Sequence, residues 1–169
     1  EPARFYYYQF EAEEKKSQIG RMKTAPKDSV QNVRLGFASC SNYSWGFFNA
    51  YRTMATDTLD AVVHLGDYIY EYETDVYSNP KLIRKHLPNN ELTQITDYRT
   101  RYAQYRLDKD LQAVHAAHPF IVIWDDHELA NNAYDEGAGN HQPEEGDWKT
   151  RQAIAKKVYY EWMPVREKT

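Results

Sequence analysis

The chain has 169 residues, a length that suits one domain and suffices to bury a core. Its formal net charge of −4 argues against nucleic acid as a generic partner, because binding a phosphate backbone needs a basic field. One cysteine excludes an internal disulfide, and no apolar run approaches the roughly 20 residues of a membrane span, so no transmembrane segment is expected.

The elements are predicted in chain order. Residues 5–10 are aromatic and read as a strand. Residues 11–30 are polar, with Gly20 and Pro26, and read as a linker or irregular loop. In residues 33–40, Val33, Leu35 and Phe37 alternate, which is a strand pattern. Residues 49–56 read as a short helix, and the apolar run 61–65 as a buried strand. A long polar excursion with Pro80 and Pro88 follows from 71 to about 91; such excursions often carry function. Residues 96–106 read as a helix with Tyr98, Tyr102 and Tyr105 on one face. Residues 108–117 are helical, 120–124 form a third buried strand, 131–147 a loop and 148–162 a final helix. Strands that alternate with helices imply an α/β fold with mostly parallel strands and crossover helices.

Parallel sheets place ligands beyond the C-terminal ends of their strands. The first strand ends in Ser39-Cys40-Ser41-Asn42, the second in Gly66-Asp67-Tyr68-Ile69-Tyr70-Glu71, and the third in Trp124-Asp125-Asp126-His127-Glu128. If the strands are parallel, a thiol, a phenol, carboxylates and an imidazole converge on one edge, and all are metal-ligand types. Asp67 can bridge two cations, and two cations about 3.5–4 Å apart can clamp an ester phosphate and generate a hydroxide at neutral pH. Tyr70 and Cys40 are anionic donors that favour a highly charged ion such as ferric iron. Asp126 suits a second, harder ion, and His127 can protonate a leaving oxygen or bond a phosphate oxygen. Each piece alone has a plainer reading. A lone cysteine is most often a small buried hydrophobe, Gly-Asp is often a turn, and Asp-Asp-His-Glu can cap a helix. Their joint placement favours chemistry.

Other polar residues carry structural expectations. His64 is read as a hydrogen-bonded core or supporting residue. His86, His115 and His118 are read as solvated or capping. Arg99, Arg101 and Arg106 are read as a solvated helix face. Asn131 and Asn132 finish loop geometry, with a supporting role for Asn131 at the site. His141 is placed either on a surface loop or in a pocket lining.

The stretches Phe37-Ala38-Ser39-Cys40-Ser41, His64 to Glu71, Asp97 to Tyr102 and Trp124 to Glu128 carry a resemblance. Asn131-Asn132, Gly137-Ala138, Asn140-His141 and Trp162 to Arg166 extend it. On these motifs the chain resembles the PhoD-like alkaline phosphatases and phosphodiesterases of the metallophosphoesterase superfamily. The resemblance implies the first half of a metallophosphoesterase-type α/β sandwich, truncated at both ends. Residues 1–30 would be the tail of a preceding β-sandwich domain plus linker, and 31–169 the N-terminal part of the catalytic domain. It implies hydrolysis of phosphate monoesters and diesters by a two-metal site, with Cys40, Asp67 and Tyr70 on ferric iron (Fe3+). Asp67 would bridge to a second ion, expected to be calcium (Ca2+), with Asp126 as its ligand. His127 would face the substrate phosphate. A periplasmic or secreted setting follows from the same likeness. The downstream acid and histidine motifs of the superfamily are absent from the sequence, so a missing C-terminal half is the expected partner. The competing readings are an inactive fragment and a binding module using the tyrosine-rich face.

Overall fold

The computed structural model describes residues 1–30, 32–82 and 84–167. The domain boundary expected at residue 31 lies outside them. The centre is a three-stranded sheet of β5 (Leu35–Ala38), β6 (Ala61–His64) and β7 (Phe120–Val122), in that order and all parallel. Phe37, Val63 and Ile121 stand abreast on one face; Gly36, Val62 and Phe120 stand abreast on the other. The crossover from β5 to β6 runs through α1 (Asn49–Thr56). The crossover from β6 to β7 runs through α2 (Ile95–Arg106) and α3 (Lys109–Ala117). Helix α4 (Trp148–Trp162) follows the last strand. The α/β class and the parallel order expected from sequence are what the structure has.

Capping chemistry marks the helix starts. The Asp108 carboxylate accepts from the Asp110 and Leu111 amides, and Asp147 accepts from Thr150. Gln94 and Asp97 form a reciprocal capping box at α2.

The core lies between the sheet and the helices. Tyr98, Tyr102 and Tyr105 are fully buried, as their spacing on α2 requires, and pack with Val62, Tyr68, Ile69, Leu111, Val114 and Val158. The opposite face of the sheet is open. Phe37 is 60% exposed and Ile121 and Ile123 are each 58% exposed. This apolar face and its strand edges lie uncovered in the structure.

The reading of residues 11–30 as linker is corrected. β1 (Phe5–Tyr8) pairs antiparallel with β4 (Gly20–Lys23), with a two-residue ladder of β2 (Glu11–Ala12) and β3 (Lys15–Lys16) between them. The segment docks on α3. Arg21 donates twice to the Ala117 carbonyl, Gln18 donates to the Gln112 carbonyl, and Lys23 pairs with Asp60. The strand expected at 5–10 is present as β1; polar composition hid β2, β3 and β4, whose side chains face mostly solvent and show no apolar alternation.

The solvated readings of several residues are also corrected. Arg101 is fully buried, and its guanidinium donates to the carbonyls of Tyr70, Tyr72, Leu87 and Pro88. It therefore fastens both ends of the 71–91 excursion to α2. Gln104 adds bonds to Lys85 and Leu87. Arg106 reaches the Trp162 carbonyl and lies over the Tyr68 ring. Only Arg99 of the three has the exposed setting expected, in a two-pronged pair with Glu161. His86 is buried beside Tyr43 and Tyr105, and His115 bonds the Tyr68 hydroxyl and stacks on Phe120. His118 is buried against the carbonyls of Leu59 and Met54, so it caps the end of α1.

Candidate metal and catalytic centre

The three strand ends meet through backbone bonds that continue past the sheet. The Cys40 amide donates to the Gly66 carbonyl and the Ser41 amide to the Asp67 carbonyl. At these turns Cys40 has φ 56° and Asp67 φ 55°. Both are non-glycine residues in the left-handed region, a strain that persists only where surrounding contacts dictate it. Gly66 has φ +100°, and a Cβ there would lie 2.5 Å from the Asp125 amide nitrogen. That close approach of the second loop to the third requires glycine.

Asp67 is the hub. Its Oδ2 receives the Cys40 thiol and the Tyr70 hydroxyl, each at 3.4 Å. Its Oδ1 is buried and has no hydrogen-bond partner among the described residues. A buried carboxylate oxygen without a donor is costly, and a cation is the natural complement. Ligand-type atoms of Asp67, Asp126 and His127 all lie within 4.8 Å of one another. Burial raises the Asp67 pKa. Burial, with the charge of Asp67 and Cys40 nearby, raises the Tyr70 hydroxyl well above its usual range. A nearby cation is the ordinary means of reversing such shifts. The donor set and the orphaned oxygen therefore fit a metal.

Two carboxylates that sequence reasoning left without a role hold this arrangement. Glu71 is fully buried. One oxygen accepts from His127 Nδ1 at 2.8 Å; the other accepts from the Asn131 amide and the Asn140 side chain, each at 2.7 Å. Burial lowers the His127 pKa, but the bond and charge of Glu71 together with the charges of Asp67 and Asp126 outweigh it, and the net shift is upward. With Nδ1 engaged, Nε2 is the nitrogen left for the cluster. Glu128 accepts from the amides of Asp67, Tyr68 and Asp125, so the third strand's loop pins the second's. Burial pushes its carboxyl up to about 7 against those three bonds. Both residues sit inside quoted motifs, at the far end of each; that placement was the only available signal.

The remaining expected residues are placed as follows. Asp126 is half-buried and accepts from the Asn132 amide, at a residue with φ 56°. It borders a hollow lined by Trp124, Leu129 and Tyr134. Asn131 reaches the site through its backbone. His141 faces Glu145 and the Gly146 carbonyl within its own loop, and Arg151 and Trp148 of α4. Asn140 of that loop reaches the site through its side chain, on Glu71. His64 bonds Ser41 and Tyr51 directly beneath the Cys40 turn, and burial lowers its pKa to about 4.

A parallel α/β sheet with metal-type side chains gathered at its C-terminal edge is the usual place for a ligand or metal site in this fold class, and the comparisons with known proteins narrow it. The chain matches the PhoD-like phosphatase family over residues 35–169. It is 44% identical over 173 residues to alkaline phosphatase D of Bacillus subtilis (strain 168), a match covering 98% of this chain and 29% of that protein. A solved structure of PhoD aligns with TM-score 0.86 at 42% identity, covering 98% of this chain and 32% of that one. The chain belongs to the PhoD-like phosphatase family. It spans about a third of the length of the relatives it matches.

Proposed function

We propose that this chain supplies a large part of a metal-dependent phosphoesterase site acting on phosphate monoesters and diesters. The observation that carries the reading is the gathering of Cys40, Tyr70, Asp126 and His127 around Asp67, whose Oδ1 is buried without a donor. Cys40, Asp67 and Tyr70 would hold ferric iron. Asp67 and Asp126 would hold a second, divalent ion, calcium by resemblance. When bound, the pair would supply Lewis acidity and charge neutralisation for the phosphate. Residues 1–30 are proposed as the tail of a preceding β-sandwich domain, 31–169 as the start of a metallophosphoesterase-type sandwich, and the setting as periplasmic or secreted.

The chain's own residues then have definite tasks. Hydrolysis joins a water oxygen to phosphorus and breaks the opposite P–O bond, so the departing oxygen needs a proton. His127 is held by Glu71 in one orientation and favoured in its protonated form, which suits Nε2 to donate that proton or bond a phosphate oxygen. Glu128 fixes the backbone that aims Asp67, and Glu71 fixes the ring and the 131–140 loop together. The grouping of His127 with Asp67 and Asp126 also favours a second reading, in which its Nε2 is a metal ligand.

The test uses the full-length protein carrying this chain and bis(4-nitrophenyl) phosphate. Asp67→Asn should lower kcat/KM by at least about a thousandfold, because the bridging oxygen is lost. Undiminished turnover would defeat the two-metal reading. His127→Gln separates its two roles: metal retained with kcat lost supports the proton donor, and metal lost supports ligation.

A further inference from the structure

Two exposed aromatic rings flank this centre, and the site chemistry gives them no task. Trp45 is 48% exposed and Tyr77 is 53% exposed, and their rings meet edge to face with centroids 5.7 Å apart. Tyr77 continues inward. Its ring lies 6.0 Å from Tyr70 and 5.5 Å from Tyr72, and is nearly parallel to His127 at 6.5 Å. The aromatic surface therefore runs without a break from the proposed proton donor to solvent.

The surface is held in place. Tyr77 has φ 47°, a conformation that a bulky aromatic residue rarely adopts and that surrounding contacts must impose. Its carbonyl accepts from Asn42 Nδ2 and from Ser44 Oγ, and the Asn79 amide donates to the Ser44 carbonyl. The same knot fixes Trp45, whose amide donates to the Asn42 carbonyl, while the Asn42 amide donates to the carbonyl of Cys40. Both rings are thus tied by backbone and short side chains to a residue of the proposed metal cluster. Exposed aromatic side chains ordinarily gain nothing from such fixing. A rigid apolar face beside a phosphate site gains a binding partner for the organic arm of an ester.

We propose that Trp45 and Tyr77 form a stacking platform that selects esters with a flat, apolar arm. The platform rests on the phosphoesterase reading, since it presumes that phosphorus sits at the Asp67–His127 centre. Its rings offer π faces and no added charge, so they discriminate by shape and apolar area and leave phosphate affinity unchanged.

Calorimetric titration of the metal-loaded full-length protein with phenylphosphonate and with methylphosphonate tests this. The wild type should bind the phenyl compound about tenfold more tightly, the order expected for one stacked ring. Trp45→Ala and Tyr77→Gly should each remove most of that preference and leave methylphosphonate binding as it was. Glycine accepts the positive φ of the second position without strain, and Tyr77→Phe should keep the preference because it keeps the ring. Equal binding of both compounds by the wild type, or an unchanged preference in both ring-deleted variants, would overturn the platform alone. Binding of neither compound would overturn the phosphate site beneath it.

Discussion

Glu71 and Glu128 are wholly buried, and each divides its oxygens among several donors from distant parts of the chain. Such carboxylates act as rigid junctions, because every bond that stabilises them also fixes a loop. Buried histidines add a second residue-scale property. Burial lowers His64 to about 4, His86 to about 3 and His115 to about 2, from an ordinary 6.5. The unfolded chain therefore takes up protons before the folded one as pH falls. Stability from these groups is complete above about pH 6.5 and is lost progressively as pH drops toward their folded values. Each contributes a slope approaching about 1.4 kcal/mol per pH unit within that window. Denaturant midpoints measured from pH 7.5 to 5.5 should fall steadily on the acid side; a flat profile would show these rings solvated. That Cys40, Asp67, Tyr70, Asp126 and His127 come together was legible because each follows an apolar run at a strand end. The roles of Glu71 and Glu128 were not, since their partners lie as far as 69 residues away and only the folded chain brings them together.

At the scale of elements, α2 joins core and site. Its tyrosines fill the core on one face, a pattern plain in the spacing of Tyr98, Tyr102 and Tyr105. Arg101 falls among them with no apolar signal to mark it. Its burial is possible because four carbonyls, those of Tyr70, Tyr72, Leu87 and Pro88, turn toward it at the two ends of the 71–91 excursion. That excursion carries Tyr72 and Tyr77 and starts directly after Tyr70, so the helix sets the position of the aromatic surface beside His127. Arg101→Met should destabilise the fold by about 2–4 kcal/mol, because four carbonyls lose their donor inside the protein. The same variant should raise KM for aryl esters more than it lowers kcat. A denaturant midpoint equal to wild type would contradict the fastening role. The excursion's length was visible in sequence, but its rigidity was not, since polar side chains bonded to backbone look identical to solvated ones.

At the scale of the whole molecule, one face of the sheet is packed and the other is open. Leu35, Phe37, Leu65, Ile121 and Ile123 form an apolar surface of a kind that isolated sheets rarely leave to water. The same sheet order that opens this face also gathers the metal-type side chains at one edge. The α/β class was readable from the alternation of apolar runs and helical stretches. The β4 half of the β1–β4 ladder was not, because this segment rests on α3 through Arg21 and Gln18 rather than through an apolar stripe. The match to PhoD over nearly the whole chain agrees with this layout, and it covers about a third of that protein.

The central claim is that Asp67 sits between metal-binding side chains on these strand ends. Elemental analysis of the purified full-length protein, joined to its visible absorption spectrum, tests that claim most directly. The account predicts about one iron per chain and a broad charge-transfer band from Tyr70 or Cys40, with band and iron both lost in Asp67→Asn. A protein that is colourless and metal-free after purification and after reconstitution with iron and calcium would contradict it.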